Sequence, residues 1–275
     1  MGVLDGKAAI VTGSARGIGR ATAELLVDQG ARVLINDLDG DVAEQAASEI
    51  AGETTVFAGD LTQRGIPDQL VQKAVDEFGR IDIIVNNAGY TWDGVAHKMA
   101  DEQFQAMLDI HTVAPFRIIR AAAPHIREPA KVEREQGQEV FRKIVNVTSV
   151  SGTMGNAGQV NYAAAKAGVV GLTKTLAKEW GQFKVNVNAV AFGFVETRLT
   201  AAKEEGGKIE MEGREIALGI PEQMRAMAAM MIPLGRPASP EEAAGPVFFL
   251  CSPWSNWVHG QVLNATGGQF GGMYI

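Results

Sequence analysis

The chain has 275 residues, of which 46% are hydrophobic and 21% charged, with a formal charge of −7 and a mean hydropathy of +0.01. This composition excludes extended disorder, and the acidic balance argues against a binder of nucleic acid or anionic membranes, which needs clustered Lys and Arg. No stretch approaches the roughly 20 apolar residues that span a bilayer, and one cysteine, Cys251, excludes an internal disulfide and points to a reducing cytoplasm.

The opening MGVLDG is expected to lead into a strand without a signal peptide, and Gly6 stands where myristoylation requires Ser or Thr. Short β-branched runs then alternate with helix-length segments. Residues 7–13 (KAAIVTG), 31–37, 54–60, 81–87, 143–149 and 185–193 predict buried strands, and 261–265 (QVLNA) a short strand at the sheet edge. Strand and helix in repetition imply a parallel sheet. Strands that are almost continuously apolar imply helices on both faces, hence a doubly wound α/β domain of three layers over residues 1–275.

Two segments break the alternation. Residues 127–143 are charged with mixed signs and contain Pro129 and Gly137, which predicts a solvated helix end followed by a surface loop. Residues 198–235 combine a charged, Gly-containing half with a helical half rich in methionine, and are expected to form a lid. Cys251, in the apolar run VFFLCS, is expected to be a buried, inert thiol.

The stretch TGSARGIG (12–19) follows the first strand and opens the first helix, the context in which a glycine loop has meaning. Gly13 suits the turn off the strand, and Gly17 and Gly19 lack the Cβ atoms that would hold a pyrophosphate away from the helix N-terminus. Ser14, Arg16 and Ile18 complete the loop. Read alone, the loop is either a phosphate cradle or a tight strand-to-helix turn. Asp37, at the end of the second strand, is placed to accept hydrogen bonds from ribose hydroxyls and would repel a 2′-phosphate. Arg16 pulls the other way, toward NADP, but Leu38 supplies no second cation, so NAD is favoured. Asp60, with Leu61 beside it, suits the adenine edge or a helix N-cap.

Farther along, NNAG (86–89) ends the fourth strand, Ser149 ends the fifth, and Tyr162 and Lys166 lie four apart on one helix face in NYAAAKAG. With the glycine loop and the doubly wound pattern, these residues make a chain that resembles the short-chain dehydrogenase/reductase family over nearly its whole length, and in particular its 3-oxoacyl thioester reductase-like members. The resemblance implies a Rossmann-type domain that moves hydride between a nicotinamide and a carbinol or carbonyl carbon. It implies Tyr162 as general base or acid, Lys166 as its electrostatic partner and a ribose ligand, and Ser149 as donor to the substrate oxygen. It also implies cofactor contacts at Asn87, Ala88 and Gly89, and at Gly193, Val195 and Thr197 after the sixth strand. No metal is expected.

Two positions depart from that family. His111, in MLDIHTVAPF, stands where the family carries an Asn that supports a proton relay, so His111 is either a proton shuttle or a ring packed between helices. Phe192-Gly193 replaces Pro-Gly and is expected to put an aromatic wall against the nicotinamide. Met211, Met224, Met227, Met230 and Met231 suit an adaptable apolar pocket or ordinary helix packing. The expected partner is an alcohol or ketone; small residues on the Tyr162 helix permit close helix approach, and the resemblance, to a family whose fourth and fifth helices pair across a two-fold, implies a homodimer or homotetramer, with the tail GGQFGGMYI reaching a neighbour. The alternative, from another class, is a catalytically weak NAD-binding regulatory protein disabled by His111.

Overall fold

A computed structural model describes residues 2–203, 207–211 and 214–269. Its framework is a seven-stranded parallel sheet: β1 (Ala8–Thr12), β2 (Arg32–Asp37), β3 (Thr54–Ala58), β4 (Ile83–Asn86), β5 (Arg142–Ser149), β6 (Val185–Phe192) and, last in sequence, β9 (Val262–Ala265). The order is β3-β2-β1-β4-β5-β6-β9, every pair parallel, so the expected strands and the doubly wound plan are observed. The order reverses between β1 and β4, which opens a crevice beyond their carboxyl ends.

Successive side chains of a strand point to opposite faces, and here both faces are apolar. Ala8 and Ile10 of β1 face one core, with Leu70 and Val71 of α3 (Ile66–Phe78), Ile118 and Ile119 of α5 (Ala114–Glu135) and Ala165 of α7 (Val160–Trp180). Ala9 and Val11 face the other, with Leu26 of α1 (Gly17–Asp28), Ala43 of α2 (Gly40–Glu49) and Phe248 of α9 (Pro240–Cys251). Covering a sheet on both sides is what makes continuous apolar strands stable, at about 25 cal/mol per Å² of apolar surface removed from water.

One helix is irregular, and two expectations need correction. The helix through His111 is not regular: α4 (Asp101–Leu108) passes into a π-turn at Asp109–Val113 before α5 begins. Residues 127–135 do end a helix, despite Pro124 and Pro129 within it, but Arg142 and Lys143 are buried in β5 rather than solvated. Arg142 makes a bidentate pair with Glu133, 2.7 and 2.8 Å, so part of that charge is internal wiring. Phe192 is buried in the α9-side core and forms no wall at the crevice.

The 198–235 segment contains an antiparallel hairpin, β7 (Lys208–Met211) with β8 (Arg214–Ala217), and then α8 (Glu222–Met230). Residues 204–206 and 212–213 of that segment, and 270–275 of the tail, lie outside the described residues. Among the described residues no helix is long and apolar enough to cross a membrane. The remaining helix, α6 (Val150–Met154), leads from β5 toward α7.

Candidate functional site

The site is built on the crevice where the strand order reverses. Gly13 leaves β1 with φ +61°, and Gly17 opens α1 with φ +54°, left-handed values that glycine adopts without steric penalty. A Cβ on Gly19 would collide with the Gly13 carbonyl, so the third glycine lets helix and loop close on each other. The N-cap of α1, Arg16, makes no side-chain cap, and no acidic side chain sits in the first turn. The first-turn N–H groups and the positive end of the helix dipole therefore face the crevice, the arrangement that binds phosphate.

Asn87 braces this loop. Its Nδ2 donates to the carbonyls of Thr12 (2.9 Å) and Gly13 (3.0 Å), and the N–H groups of Asn87 and Ala88 both donate to Thr12 Oγ1 at 3.0 Å. Gly13, Arg16, Gly17 and Ile18 line one cavity with Asp37, Asp60 and Leu61 at its far end and Asn87, Ala88, Gly89 and Thr197 on its flank. The backbone cradle and the polar far end fit a dinucleotide. Asp60 does not cap a helix, since Gly65 caps α3; its carboxylate accepts from Thr62 N–H and Oγ1, 2.9 and 2.7 Å, in a tight turn.

Six expected cofactor residues stand outside the cavity lining. Ser14 is fully buried, donates to Val11 O (2.7 Å) and accepts from Asn36 N–H (3.0 Å), which ties the loop to β2. Gly19 faces the loop, Gly193 bonds its N–H to Ala265 O at 3.1 Å, and Val195 lies in the core. Tyr162 and Lys166, on α7, are the remaining two.

Asp37 is already engaged, accepting from the N–H groups of Leu38 (2.9 Å), Asp39 (3.4 Å) and Ala15 (3.4 Å). Arg16 pairs with Asp39 at 3.4 Å. Sequence reasoning missed Arg198, which lines the same cavity near Arg16, Asp37 and Asp39 and makes no ion pair among the described residues. Arg198 follows the last motif residue after β6, and no spacing rule marks it.

Tyr162 lies in the first turn of α7 and Lys166 one turn later. The Ser149 hydroxyl hydrogen-bonds the Tyr162 phenol and draws its pKa down, but the protein around the ring pushes it up to about 12, and Asp93 adds to that rise. Burial alone pulls Lys166 down to about 7. Its ammonium donates to Val147 O at 2.7 Å and lies 5.7 Å from the Tyr162 ring centroid. Ser149, Tyr162 and Lys166 are thus brought together as expected.

His111 sits in the π-turn, fully enclosed, its ring edge-on to Tyr162 with centroids 5.0 Å apart. Burial, then the nearby Lys166 charge, hold its pKa well below the usual histidine value. Nε2 lies 2.7 Å from Tyr90 O, an acceptor, so Nε2 carries the proton and Nδ1 is left as an acceptor without a partner among the described residues. A Cβ on Gly89 would strike the imidazole, which explains a glycine there. Because His111 displaces neither Tyr162 nor Lys166, the geometry gives no support to a non-catalytic chain. Among the described residues no His, Cys, Asp and Glu cluster has metal-holding geometry.

Comparison with known proteins agrees with this geometry. The family described as short chain dehydrogenase matches residues 7–208. A 3-oxoacyl-[acyl-carrier-protein] reductase of Thermotoga maritima is 37% identical over 268 residues, covering 96% of this chain and 98% of the relative. One of Aquifex aeolicus is 38% identical over 271 residues, 97% and 98% of the two chains. An uncharacterized oxidoreductase of Mycobacterium tuberculosis is 36% identical over 270 residues, 98% of each.

Proposed function

The chain belongs to the short-chain dehydrogenase family, and from that premise we propose that it is an NAD(H)-dependent oxidoreductase of secondary alcohols and ketones, with 3-oxoacyl thioesters as the first substrate class. The observation that carries the reading is the Ser149–Tyr162–Lys166 arrangement at the carboxyl end of β5, in the domain that carries the glycine loop. The names of the relatives support the thioester class.

A bound nicotinamide supplies the hydride acceptor or donor. In reduction Tyr162 gives its proton to the carbonyl oxygen, and a phenol held near 12 keeps that proton available throughout the neutral range. In oxidation Tyr162, as the phenolate, takes the proton from the alcohol, a step favoured by rising pH. Ser149 Oγ donates to the substrate oxygen as negative charge gathers there. Two Lys166 donors remain after Val147 O is satisfied, enough to reach the phenol and a ribose hydroxyl.

Asp37 supports NAD over NADP, because a carboxylate at the ribose end opposes a 2′-phosphate; Arg16 and Arg198 weigh against it. The 198–235 segment acts as the lid, with Met224, Met227, Met230 and Met231 of α8 and its end standing exposed as an adaptable apolar face. The exposed faces of α5 and α7, where Phe116 and Ala167 reach solvent, support a homodimer or homotetramer, and the lone buried Cys251 suits the cytoplasm.

Absorbance of reduced nicotinamide tests the reading, with acetoacetyl-coenzyme A, small polyols, steroids and both cofactors as the panel. Turnover with NADH and loss in Tyr162→Phe are expected. No turnover of any member, with cofactor bound, overturns it.

A further inference from the structure

We propose that Gln159 and Asp93 form a polar latch that positions Tyr162: the carboxamide of Gln159 joins the loop after β4 to α6 and to the start of α7, and Asp93 sets a carboxylate beside the phenol. The proposal rests on Tyr162 as the acid and base of the reaction.

Gln159 immediately precedes α7, and its carbonyl accepts the first helical hydrogen bond, from Ala163 N–H at 2.7 Å. A polar residue there ordinarily turns its side chain to cap the helix. Gln159 does not. Its Nε2 donates to both carboxylate oxygens of Asp93, 3.1 and 3.0 Å, and its Oε1 accepts from Ser151 Oγ and Asn156 Nδ2, both at 3.0 Å. Ser151 N–H in turn donates to Ser149 Oγ at 3.1 Å. One continuous chain of hydrogen bonds therefore runs from Asp93 through Gln159 and Ser151 to Ser149, the group that bonds the phenol.

The backbone repeats the connection. Gly94 N–H donates to Gly158 O at 2.8 Å, and Gly94 and Gln159 form an isolated parallel bridge. Asn161, fully buried, donates to Trp92 O (2.9 Å) and Gln103 O (3.0 Å) and accepts from Tyr162 N–H (2.8 Å). Tyr162 thus hangs between two anchors on the same β4 loop.

The latch has an electrostatic side. The groups facing Tyr162 are Ser149, whose bond favours the phenolate, Lys166, a neutral His111, and Asp93, whose charge opposes the phenolate. The protein around Asp93 raises its own pKa, and the Gln159 bond counters that rise, so the bond favours the charged form of Asp93. Through Asp93, Gln159 therefore adds to the charge that opposes the phenolate, beside the larger effect of burial.

Oxidation of 3-hydroxybutyryl-coenzyme A, or of the best alcohol in the panel, is followed against pH for the wild type, Gln159→Ala, Asp93→Asn and Tyr162→Phe, with NADH binding and thermal unfolding of each. Gln159→Ala is expected to lower kcat about tenfold with NADH affinity unchanged. Asp93→Asn, nearly isosteric and still an acceptor for Gln159, is expected to move the Tyr162 limb of the profile to lower pH by about half a unit, which a purely structural staple would not do. A limb that stays in place overturns the proposal, even if Gln159→Ala fails to fold; so does wild-type kcat in a folded Gln159→Ala. Full activity in Tyr162→Phe instead removes the premise, a distinct outcome.

Discussion

Strand β5 has a buried lysine at each end, and the two are wired differently. Lys143, at its start, spends all three ammonium protons, on Asn186 Oδ1 (2.8 Å), Asn256 Oδ1 (2.8 Å) and Ser255 Oγ (3.2 Å). Lys166, packed against the other end, donates to Val147 O alone among the described residues. Both are buried and both are pulled down by that burial, to about 8 and about 7. A shifted pKa therefore does not tell a structural lysine from a working one; the unspent donors do. The carboxylates repeat the lesson. Asp82, at the amino end of the sheet, is closed by Arg80 (2.7 Å twice) and Ala8 N–H (3.0 Å), whereas Asp93 near the carboxyl end keeps acceptor capacity beyond Gln159.

The sharpest way to break the contrast is at the carboxyl end. Tyr162→Phe should cost about 10³-fold in kcat while NADH fluorescence titration shows unchanged binding. Lys166→Met should cost about 10²-fold in kcat and at the same time raise Tm. The sign follows from linkage: the folded pKa lies below the unfolded one, so between about pH 7 and about 10 the unfolded chain holds a proton that the native site has shed, and wild-type stability rises with pH. Urea unfolding at both pH values should show that slope in the wild type and a smaller one in the variant. A Tm that falls in Lys166→Met would mean that its charge is as structural as that of Lys143.

At the other end the effects should reverse. Lys143→Met strands two buried acceptors, on Asn186 and Ser255, and a half-buried one on Asn256, and should cost about 2–4 kcal/mol of stability by urea unfolding, with kcat per folded molecule unchanged. Loss of kcat there would erase the distinction between the two lysines. The smallest effect is expected from Arg198→Ala. An exposed cation without a partner contributes modestly, so the cofactor Kd should rise about threefold, and more for NADP than for NAD if the guanidinium meets the 2′-phosphate.

What was legible in the sequence is what local chemistry enforces. The β-branched runs, the loop that only glycine can make at Gly13 and Gly17, and the four-residue spacing of Tyr162 and Lys166 are each dictated by a few neighbouring residues. The misses are positions whose meaning comes from elsewhere in the chain. The charged composition of 127–143 concealed Arg142 because its partner Glu133 neutralises it inside the fold. The π-turn at His111 leaves no periodic trace, since it adds one residue to a helix that is regular on both sides. Gln159, Asp93 and Arg198 lie on loops, where nothing but three-dimensional contact assigns a role. The hairpin β7–β8 begins where the family match ends, at residue 208, and its charged strands resemble a loop until Ile216 and Leu218 are seen in the core.

Cys251 lies at the end of α9, enclosed by the core and pushed by burial up to about 12. A native molecule therefore offers thiol reagents no thiolate and no approach. Modification must wait until α9 parts from the sheet, so the rate of labelling under native conditions counts opening events one by one. The chain carries its own stopwatch for unfolding, with a single hand, and every variant above can be timed against it without a probe being added.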